Sequence, residues 1–178
     1  MTHTTGNKID NSPAHRSGLK IGTFMIAIGA IIEHVPSGKI LIQQRADAWQ
    51  KNEWEVPYGR IDQFEELTQA IKREVFEETG LSDLSVHELI RIWHIFRGER
   101  SAENEVYGFT FHCKTHTQEI QLSTEHFQAQ WLLPTEAIKL ITIPGIKYDL
   151  ECFIAAQKKP LPRKLILGGI NITKLQEI

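Results

Sequence analysis

The sequence contains few cysteines. Only Cys113 and Cys152 occur among 178 residues, and neither belongs to a C-x-x-C motif. Two thiols without such spacing do not form the disulfide framework of a small secreted protein. We therefore expect two reduced, mostly buried cysteines and a cytoplasmic location.

Long hydrophobic runs and a surplus of one charge sign are also lacking. The longest apolar stretch, residues 21–32, is interrupted by Gly22, Thr23 and Gly29 and falls short of the ~20 residues of a membrane span. The polar residues 2–17 do not provide the apolar core of a signal peptide. The 20 basic and 22 acidic side chains give a formal net charge of -2, without an extended positive field for polymeric DNA or RNA. We therefore expect neither a membrane protein nor a protein that binds polymeric nucleic acid. The balanced charge does not exclude binding of a small anionic ligand.

The length and composition indicate one globular domain with short appendages. A chain of 178 residues, 41% of them hydrophobic, buries about two thirds of its unfolded surface, so it needs no metal or disulfide to fold. Any bound metal is therefore expected to serve chemistry. We predict a polar N-terminal arm over residues 1–18, one domain over 19–157, and a basic linker with a C-terminal β-hairpin over 158–178.

Hydrophobic patterning predicts an α/β fold. The early strands are joined by hairpin-length turns, so we expect a central mixed β-sheet with helices packed around it in an α/β sandwich. Proline and glycine predict a loop at Pro57-Tyr58-Gly59. Strands are predicted over residues 24–32, 39–45, 54–56, 85–96, 105–114 and 129–132, and helices over 65–79, 135–140 and 147–157.

One face of the helix predicted over residues 65–79 changes from apolar to acidic along its length. At about 100° per residue, Glu74, Glu77 and Glu78 fall on the same side as the apolar stripe. Clustered carboxylates repel one another and oppose the negative end of the helix dipole, each effect costing a few tenths to about 1 kcal/mol. Arg73 is the nearby cation. A divalent metal would remove this conflict, and oxygen ligands with room for water favour Mg²⁺ or Mn²⁺; the alternative is a solvated acidic face.

Residues 59–81 resemble the Nudix box, G-x5-E-x7-R-E-U-x-E-E-x-G-U, in which U is a bulky aliphatic residue. From average residue usage, a full match in a chain of this size arises by chance on the order of once in ten million. The flanking Gln44-Arg45, Trp54, Pro57 and Trp131 are also similar to the family. The resemblance implies an α/β/α Nudix sandwich that hydrolyses a nucleoside diphosphate linked to another group, by attack of a metal-activated water. The matched positions are Gly59, Glu65, Arg73, Glu74, Val75, Glu77, Glu78, Gly80 and Leu81.

The resemblance also implies a metal site built from the box. Glu74, Glu77 and Glu78 would be the Mg²⁺ ligands, completed by the backbone carbonyl of Gly59, with Mn²⁺ as a substitute. Glu77 is thus expected to serve catalysis as well as metal binding.

Three further residues receive catalytic roles from the same resemblance. Arg73 would orient the carboxylates, and Glu65 would steady Arg73 or a metal-bound water. Glu125, six residues before Trp131, is the candidate general base, with a solvated loop acid as the alternative.

Substrate contacts are expected outside the core of the box. The family commonly has Pro-Gly-Gly before the box, whereas this sequence has Pro57-Tyr58-Gly59. The Tyr58 side chain therefore either contacts the substrate or redirects the loop. Arg45 at a strand end is suited to a forked contact with a substrate phosphate, with a structural role as a lone charged strand end as the alternative. Phe24, Trp49, Trp93 and Tyr107 are candidate stacking platforms or ordinary core and rim aromatics.

A nucleoside triphosphate or a nucleotide sugar is the substrate class that the resemblance favours. The expected partners are this small nucleotide and, through the C-terminal hairpin, a second copy of the chain in a homodimer. Two alternatives on the same fold are a non-catalytic nucleotide sensor or regulator and an isomerase of isopentenyl-type diphosphates. The intact box argues against the sensor, because such regulators tend to carry a degraded one.

Overall fold

The computed structural model describes residues 22, 24–46 and 50–158, together with the backbone of residues 166–167 and 170–171. Trp49, the whole predicted N-terminal arm and the basic linker after Lys158 lie outside the described residues. A short 3-10 helix spans Ala102–Asn104. The strands are β1 (Met25–His34), β2 (Lys39–Arg45), β3 (Trp54–Glu55), β4 (Tyr58–Arg60), β5 (Ser85–Phe96), β6 (Glu105–Thr115), β7 (His126–Leu132), β8 (Ile166–Leu167) and β9 (Ile170–Asn171), and the helices are α1 (Leu67–Thr79), α2 (Pro134–Leu140) and α3 (Pro144–Lys158).

The central sheet is mixed, as predicted. Its seven strands run in the order β3-β2-β1-β6-β5, and β4 pairs with β1 while β7 pairs with β2. β1 is parallel to β6 from Met25 opposite Val106 to His34 opposite Thr115. The other pairs in this sheet are antiparallel.

Helices cover both faces of the sheet. Alternate β1 residues such as Ile28 and Ile32 pack in one apolar cluster with Ile71 of α1. Ile31, which points to the other face, packs in a second cluster with Phe153 of α3. This period-two division gives three layers. The predicted α/β/α sandwich is therefore confirmed.

The box helix α1 begins two residues later than predicted and ends where predicted. Glu66 is its N-cap, and the side chains and backbones of Glu66 and Gln69 form a capping box. Gly80 ends the helix in the left-handed conformation at φ 72°, with its N–H bonded to the Phe76 carbonyl at 2.8 Å. Both helix ends are thus fixed by local chemistry.

The prediction of a loop at Pro57-Tyr58-Gly59 is wrong. Tyr58–Arg60 form β4, with Gly59 opposite Ile28 of β1, and the Pro57 carbonyl accepts a hydrogen bond from the Ala30 N–H at 2.9 Å. Proline and glycine weaken a strand but do not prevent a short one when a neighbour supplies the pairing. Tertiary pairing therefore outweighs the local signal here.

The C-terminal region contains the predicted small hairpin, because β8 pairs with β9 in an antiparallel two-stranded sheet. The division into an arm, a domain and an extension stays a prediction. Cys113 and Cys152 are both free thiols, and burial raises the pKa of Cys113 to about 12. Among the described residues, no helix has both the length and the apolar character needed to cross a membrane.

Candidate active site

The three box glutamates near the end of α1 differ in their exposure. Glu78 is buried, with 6% of its surface exposed, and Glu74 is mostly buried. Glu77 lies at the edge of the same face, and 56% of its side chain is exposed. The helix therefore presents two of these carboxylates to the protein and one to the surface.

Glu74 meets the backbone of β4. A Cβ atom at Gly59 would overlap the Glu74 carboxyl group, so this close approach requires a glycine. The Arg60 N–H donates to Glu74 Oε1 at 3.1 Å. The fold thus brings the Glu74 carboxylate against the Gly59 backbone, the two groups that the resemblance assigns to one metal site.

Arg73 lies at the centre of the carboxylate cluster. Its Nε and Nη2 donate to the two oxygens of Glu65 at 2.8 and 2.9 Å, a bidentate contact. Its Nη1 lies 3.0 Å from Glu74 and 3.1 Å from Glu77. The hydrogen bond to Glu65 raises the pKa of Arg73, and the same contact lowers the pKa of Glu65. One guanidinium therefore fixes three carboxylates of the box, while the catalytic roles of Glu65 and Arg73 stay predictions.

The Glu65–Arg73 contact predicts a pH dependence of stability. Because the pKa of Glu65 is lowered in the fold, its contribution is present above the ordinary glutamate pKa of about 4.3 and is lost as the pH falls through the folded value. We expect Glu65→Gln to lower the urea midpoint of the metal-free protein at pH 6 and to have little effect in stronger acid. Urea unfolding of both proteins across this range is the measurement.

The exposed Glu119 in the β6–β7 loop provides a matched control for this prediction. Glu119→Gln should leave the urea midpoint at the wild-type value throughout. An effect of Glu65→Gln that does not change with pH would contradict the proposed ion pair.

Glu78 lies in a buried polar cluster behind the helix. Gln43 Nε2 donates to Glu78 Oε2 at 2.5 Å and contacts His126 Nε2 at 2.8 Å. His126 Nε2 in turn lies 3.1 Å from Glu55 Oε1. Gln43 Oε1 and His126 Nδ1 are buried and have no hydrogen-bond partner in the described part of the chain. The sequence analysis missed Gln43, His126 and Glu55 as neighbours of the box.

The electrostatics of Glu78 favour a bound cation. Burial raises the pKa of Glu78, and the negative charges of Glu55, Glu74 and Glu125 raise it further. Within residues 24–46 and 50–158, no lysine or arginine forms an ion pair with Glu78. A buried carboxylate surrounded by other carboxylates is unfavourable unless a positive charge joins it.

The donor set fits a hydrated divalent cation. No group of three His, Cys, Asp or Glu side chains among the described residues is arranged to hold an ion on its own. Mg²⁺ does not require such a cage, since it usually keeps several waters and binds through one or two carboxylates. Glu74, Glu78 and the adjacent Gly59 backbone supply oxygen donors of this kind.

Arg45 is held beside this cluster. Its Nη1 lies 2.8 Å from Glu55 Oε1, and only 13% of its side chain is exposed. Arg45 is therefore a member of an ion pair and not a lone charge at a strand end. Contact of Arg45 with a substrate phosphate stays a prediction.

Glu125 lies on the loop that leads into β7. The Ser123 N–H donates to the Glu78 carbonyl at 3.0 Å, which joins this loop to the end of α1. The Glu125 side chain is exposed, and its charge contributes to the raised pKa of Glu78. The loop thus brings Glu125 to the side of the cluster, and its role as a base stays a prediction.

Tyr58 points to the opposite layer of the fold. Its hydroxyl donates to Asp149 of α3 and lies 3.1 Å from Thr110 Oγ1. Burial raises the pKa of Tyr58. The hydroxyl is therefore already bound within the protein, and contact of Tyr58 with a substrate stays a prediction.

The other candidate aromatic residues divide between surface and interior. Phe24 and Tyr107 are exposed and pack edge to face with ring centroids 5.4 Å apart. The indole N–H of Trp93 donates to Thr110 at 3.1 Å. Trp93 thus has a structural partner, whereas Phe24 and Tyr107 form a rim.

The carboxylate-bearing helix α1 thus packs against the glycine of β4 within a three-layer sandwich. The family model for the NUDIX domain matches residues 23–151. The chain therefore belongs to the Nudix family, which confirms the predicted resemblance and the predicted enzyme class, a Nudix pyrophosphohydrolase.

Individual relatives agree with this assignment. The chain is 32% identical over 133 residues to a CTP pyrophosphohydrolase of Escherichia coli strain K12, covering 72% of this chain and 90% of that protein. A NUDIX hydrolase structure from Nitrosomonas europaea has a TM-score of 0.68 at 20% identity, covering 80% of this chain and 76% of the other. A MutT protein from Methanosarcina mazei Go1 has a TM-score of 0.63 at 22% identity, covering 78% and 98%. The last two show the fold.

Family membership carries a general function. Nudix enzymes hydrolyse nucleoside diphosphate derivatives, which are small nucleotide substrates, and they generally use divalent metal ions.

Proposed function

We propose that this chain is a Mg²⁺-dependent hydrolase that cleaves the pyrophosphate bond of a nucleoside triphosphate or a nucleotide sugar. The observation that carries the proposal is Glu78, a buried carboxylate with no cationic partner in the described part of the chain, whose pKa is raised by burial and by the charges of three other carboxylates. Such a group is costly in an empty site and useful in one that binds a divalent cation. Mn²⁺ is the expected substitute.

Glu74, Glu78 and the Gly59 carbonyl would hold the cation, with the more exposed Glu77 as a further ligand. Such an ion, when bound, supplies charge neutralisation at the phosphate oxygens and a more acidic water. Arg73 holds Glu74 and Glu77 in a fixed orientation, and Glu65 fixes Arg73 in turn. These contacts preorganise the cluster before substrate arrives.

Glu125 would accept the proton of the attacking water, because it is exposed to solvent and close enough to Glu78 for their charges to interact. Arg45, which the ion pair with Glu55 holds beside the cluster, would contact a substrate phosphate. The attack of water on one phosphorus then releases a nucleoside monophosphate and either pyrophosphate or a sugar phosphate.

The substrate is identified by its products. We would incubate the purified full-length chain and Mg²⁺ with CTP, other ribo- and deoxyribonucleoside triphosphates, nucleotide sugars, dinucleoside polyphosphates and ADP-ribose, and separate the products by chromatography. CTP is tested first because a relative of this chain is named as a CTP pyrophosphohydrolase. The proposal expects one class to be cleaved to a nucleoside monophosphate.

A different result would favour the alternative function. If a nucleotide raises the melting temperature but is not cleaved with Mg²⁺ or Mn²⁺, the chain is a nucleotide sensor and the proposed hydrolysis is wrong. Rearrangement of a diphosphate without cleavage would instead indicate an isomerase.

Two further features of this proposal concern the whole chain. We propose a cytoplasmic location, supported by two thiols that are free in the structure. Self-association through residues 158–178 stays a prediction. Sedimentation of a chain that ends near Gln157, compared with the 178-residue chain, is the measurement, and an unchanged oligomeric state would contradict it.

A further inference from the structure

Tyr58 directly precedes Gly59, at a position where the family commonly has a second glycine. We infer that Tyr58 is a positioning residue: its hydroxyl, bound to the buried Asp149 of α3, fixes β4 so that the Gly59 backbone and the Glu74 carboxylate meet correctly for the cation. The inference rests on the proposed function, because the cation site at Gly59 and Glu74 is part of that proposal, and it takes the place of the substrate contact predicted for Tyr58.

β4 needs support beyond its own hydrogen bonds. The strand has three residues and pairs with β1 alone. Successive side chains in a strand point to opposite faces, so Tyr58 points towards α3 while Gly59 faces Glu74 of α1. An anchor on the Tyr58 side therefore acts directly on the position of Gly59.

The sheet is shaped to receive the Tyr58 ring. Gly29 of β1 lies opposite Tyr58, and a Cβ atom there would overlap the ring. One strand further along the sheet, a Cβ atom at Gly108 would overlap Trp93 in the same way. The Tyr58 and Trp93 rings lie 6.2 Å apart, so the two glycines make room for a pair of neighbouring rings.

Asp149 is a fixed point for the Tyr58 hydroxyl. This carboxylate is fully buried and accepts hydrogen bonds from Tyr58, from Thr110 at 2.8 Å and from Arg91 Nε. Arg91 balances its charge and also donates to the Gly145 carbonyl at 3.1 Å, at the start of α3. Because the ion pair is satisfied and buried, the acceptor cannot shift without breaking several contacts.

These contacts connect α3 to the carboxylate cluster on the opposite face of the sheet. The path runs from Asp149 through the Tyr58 hydroxyl and backbone to Gly59, whose backbone packs against the Glu74 carboxyl group. Groups that orient metal ligands without touching the metal commonly affect metal affinity. Loss of the Tyr58 hydroxyl should therefore weaken metal binding without removing any ligand.

The test is Tyr58→Phe, which deletes the hydroxyl and keeps the ring over Gly29. The probe is Mn²⁺ alone, with free Mn²⁺ followed by electron paramagnetic resonance in the absence of nucleotide. We expect the dissociation constant to rise about tenfold. The Mg²⁺ concentration for half-maximal hydrolysis should rise in parallel, while the KM for the nucleotide at saturating Mg²⁺ stays at the wild-type value. If Tyr58 contacts the substrate instead, KM rises and the Mn²⁺ affinity does not change, which overturns the inference.

Thr110→Val is the control, because it removes the hydrogen bond from Thr110 to Asp149, together with the Thr110 contacts to Tyr58 and Trp93, and leaves the bond from Tyr58 to Asp149. It should lower the melting temperature as Tyr58→Phe does but keep the wild-type Mn²⁺ affinity. Equal weakening of Mn²⁺ binding by both variants would mean general loosening of the fold and would overturn the positioning role. If the wild-type chain does not bind Mn²⁺, the proposed function itself fails, and the inference with it.

Discussion

Glu78→Gln should abolish hydrolysis and at the same time stabilise the metal-free protein. The substitution removes a charged ligand from the proposed site, and we expect kcat to fall by about 10³-fold or more, since a bound cation supplies several kcal/mol of charge stabilisation. The same change removes a buried carboxylate without a cationic partner, so the metal-free melting temperature should rise by roughly 2–8 °C, from about 1–2 kcal/mol. Turnover assays and calorimetry in EDTA measure the two effects.

Glu77→Gln is the matched control on the same turn of α1. Its side chain is 56% exposed and is held by Arg73, so its loss should reduce activity less and leave the metal-free melting temperature nearly constant. For Glu78→Gln we expect activity to fall and the metal-free melting temperature to rise. A residue with a purely structural role would lose both when it is replaced. A variant that loses stability and activity together would contradict the proposed role of Glu78.

Glu125→Gln should reduce kcat by about 10²–10⁴-fold, the usual contribution of a general base. The amide keeps the size of the side chain but cannot accept a proton from the attacking water. Because Glu125 is exposed and is not among the proposed ligands, Mn²⁺ affinity should stay at the wild-type value. Turnover at saturating Mg²⁺ and Mn²⁺ binding by electron paramagnetic resonance are the measurements.

Glu119→Gln, in the same loop between β6 and β7, controls for the loss of an exposed negative charge. It should leave kcat at the wild-type value. If Glu125→Gln has full turnover while Glu78→Gln has none, Glu125 is not the base.

Local sequence signals were sufficient to predict the helix that carries the candidate site. The spacing of apolar residues predicted α1, and Gly80 predicted its end, because both depend on residues close together in the chain. The helical repeat placed Glu74, Glu77 and Glu78 on the inward side, where the structure has Glu74 and Glu78, whereas 56% of the Glu77 side chain is exposed. The box and the mixed sheet could thus be predicted from a single sequence.

The contact partners of these residues could not be predicted from the sequence, because they come from distant parts of the chain. Gln43 precedes Glu78 by 35 residues, and Tyr58 precedes Asp149 by 91. Period-two alternation in β2 does place Gln43 on an inward face with Leu41, so a polar residue there was a usable signal. No such signal connects Tyr58 to α3, since strand pairing and helix packing jointly determine that contact.

The β4 strand shows the same limit. Proline and glycine at 57 and 59 predicted a loop, but β1 supplies the pairing, and Gly59 is needed for the close approach of Glu74. A glycine that serves tertiary packing has the same local appearance as one that serves a turn. The predicted conformation of this segment was therefore wrong, and its part in the site stays a prediction.

The most direct test of the account is the Mg²⁺ dependence of nucleoside monophosphate release from the cleaved substrate, measured for the wild-type chain and Glu78→Gln. The account predicts no release in EDTA, a saturable increase with Mg²⁺, and no release from the variant at any Mg²⁺ concentration. Release that persists in EDTA, or that Glu78→Gln leaves unchanged, would contradict the claim that the buried carboxylate of α1 forms a metal-dependent hydrolytic site.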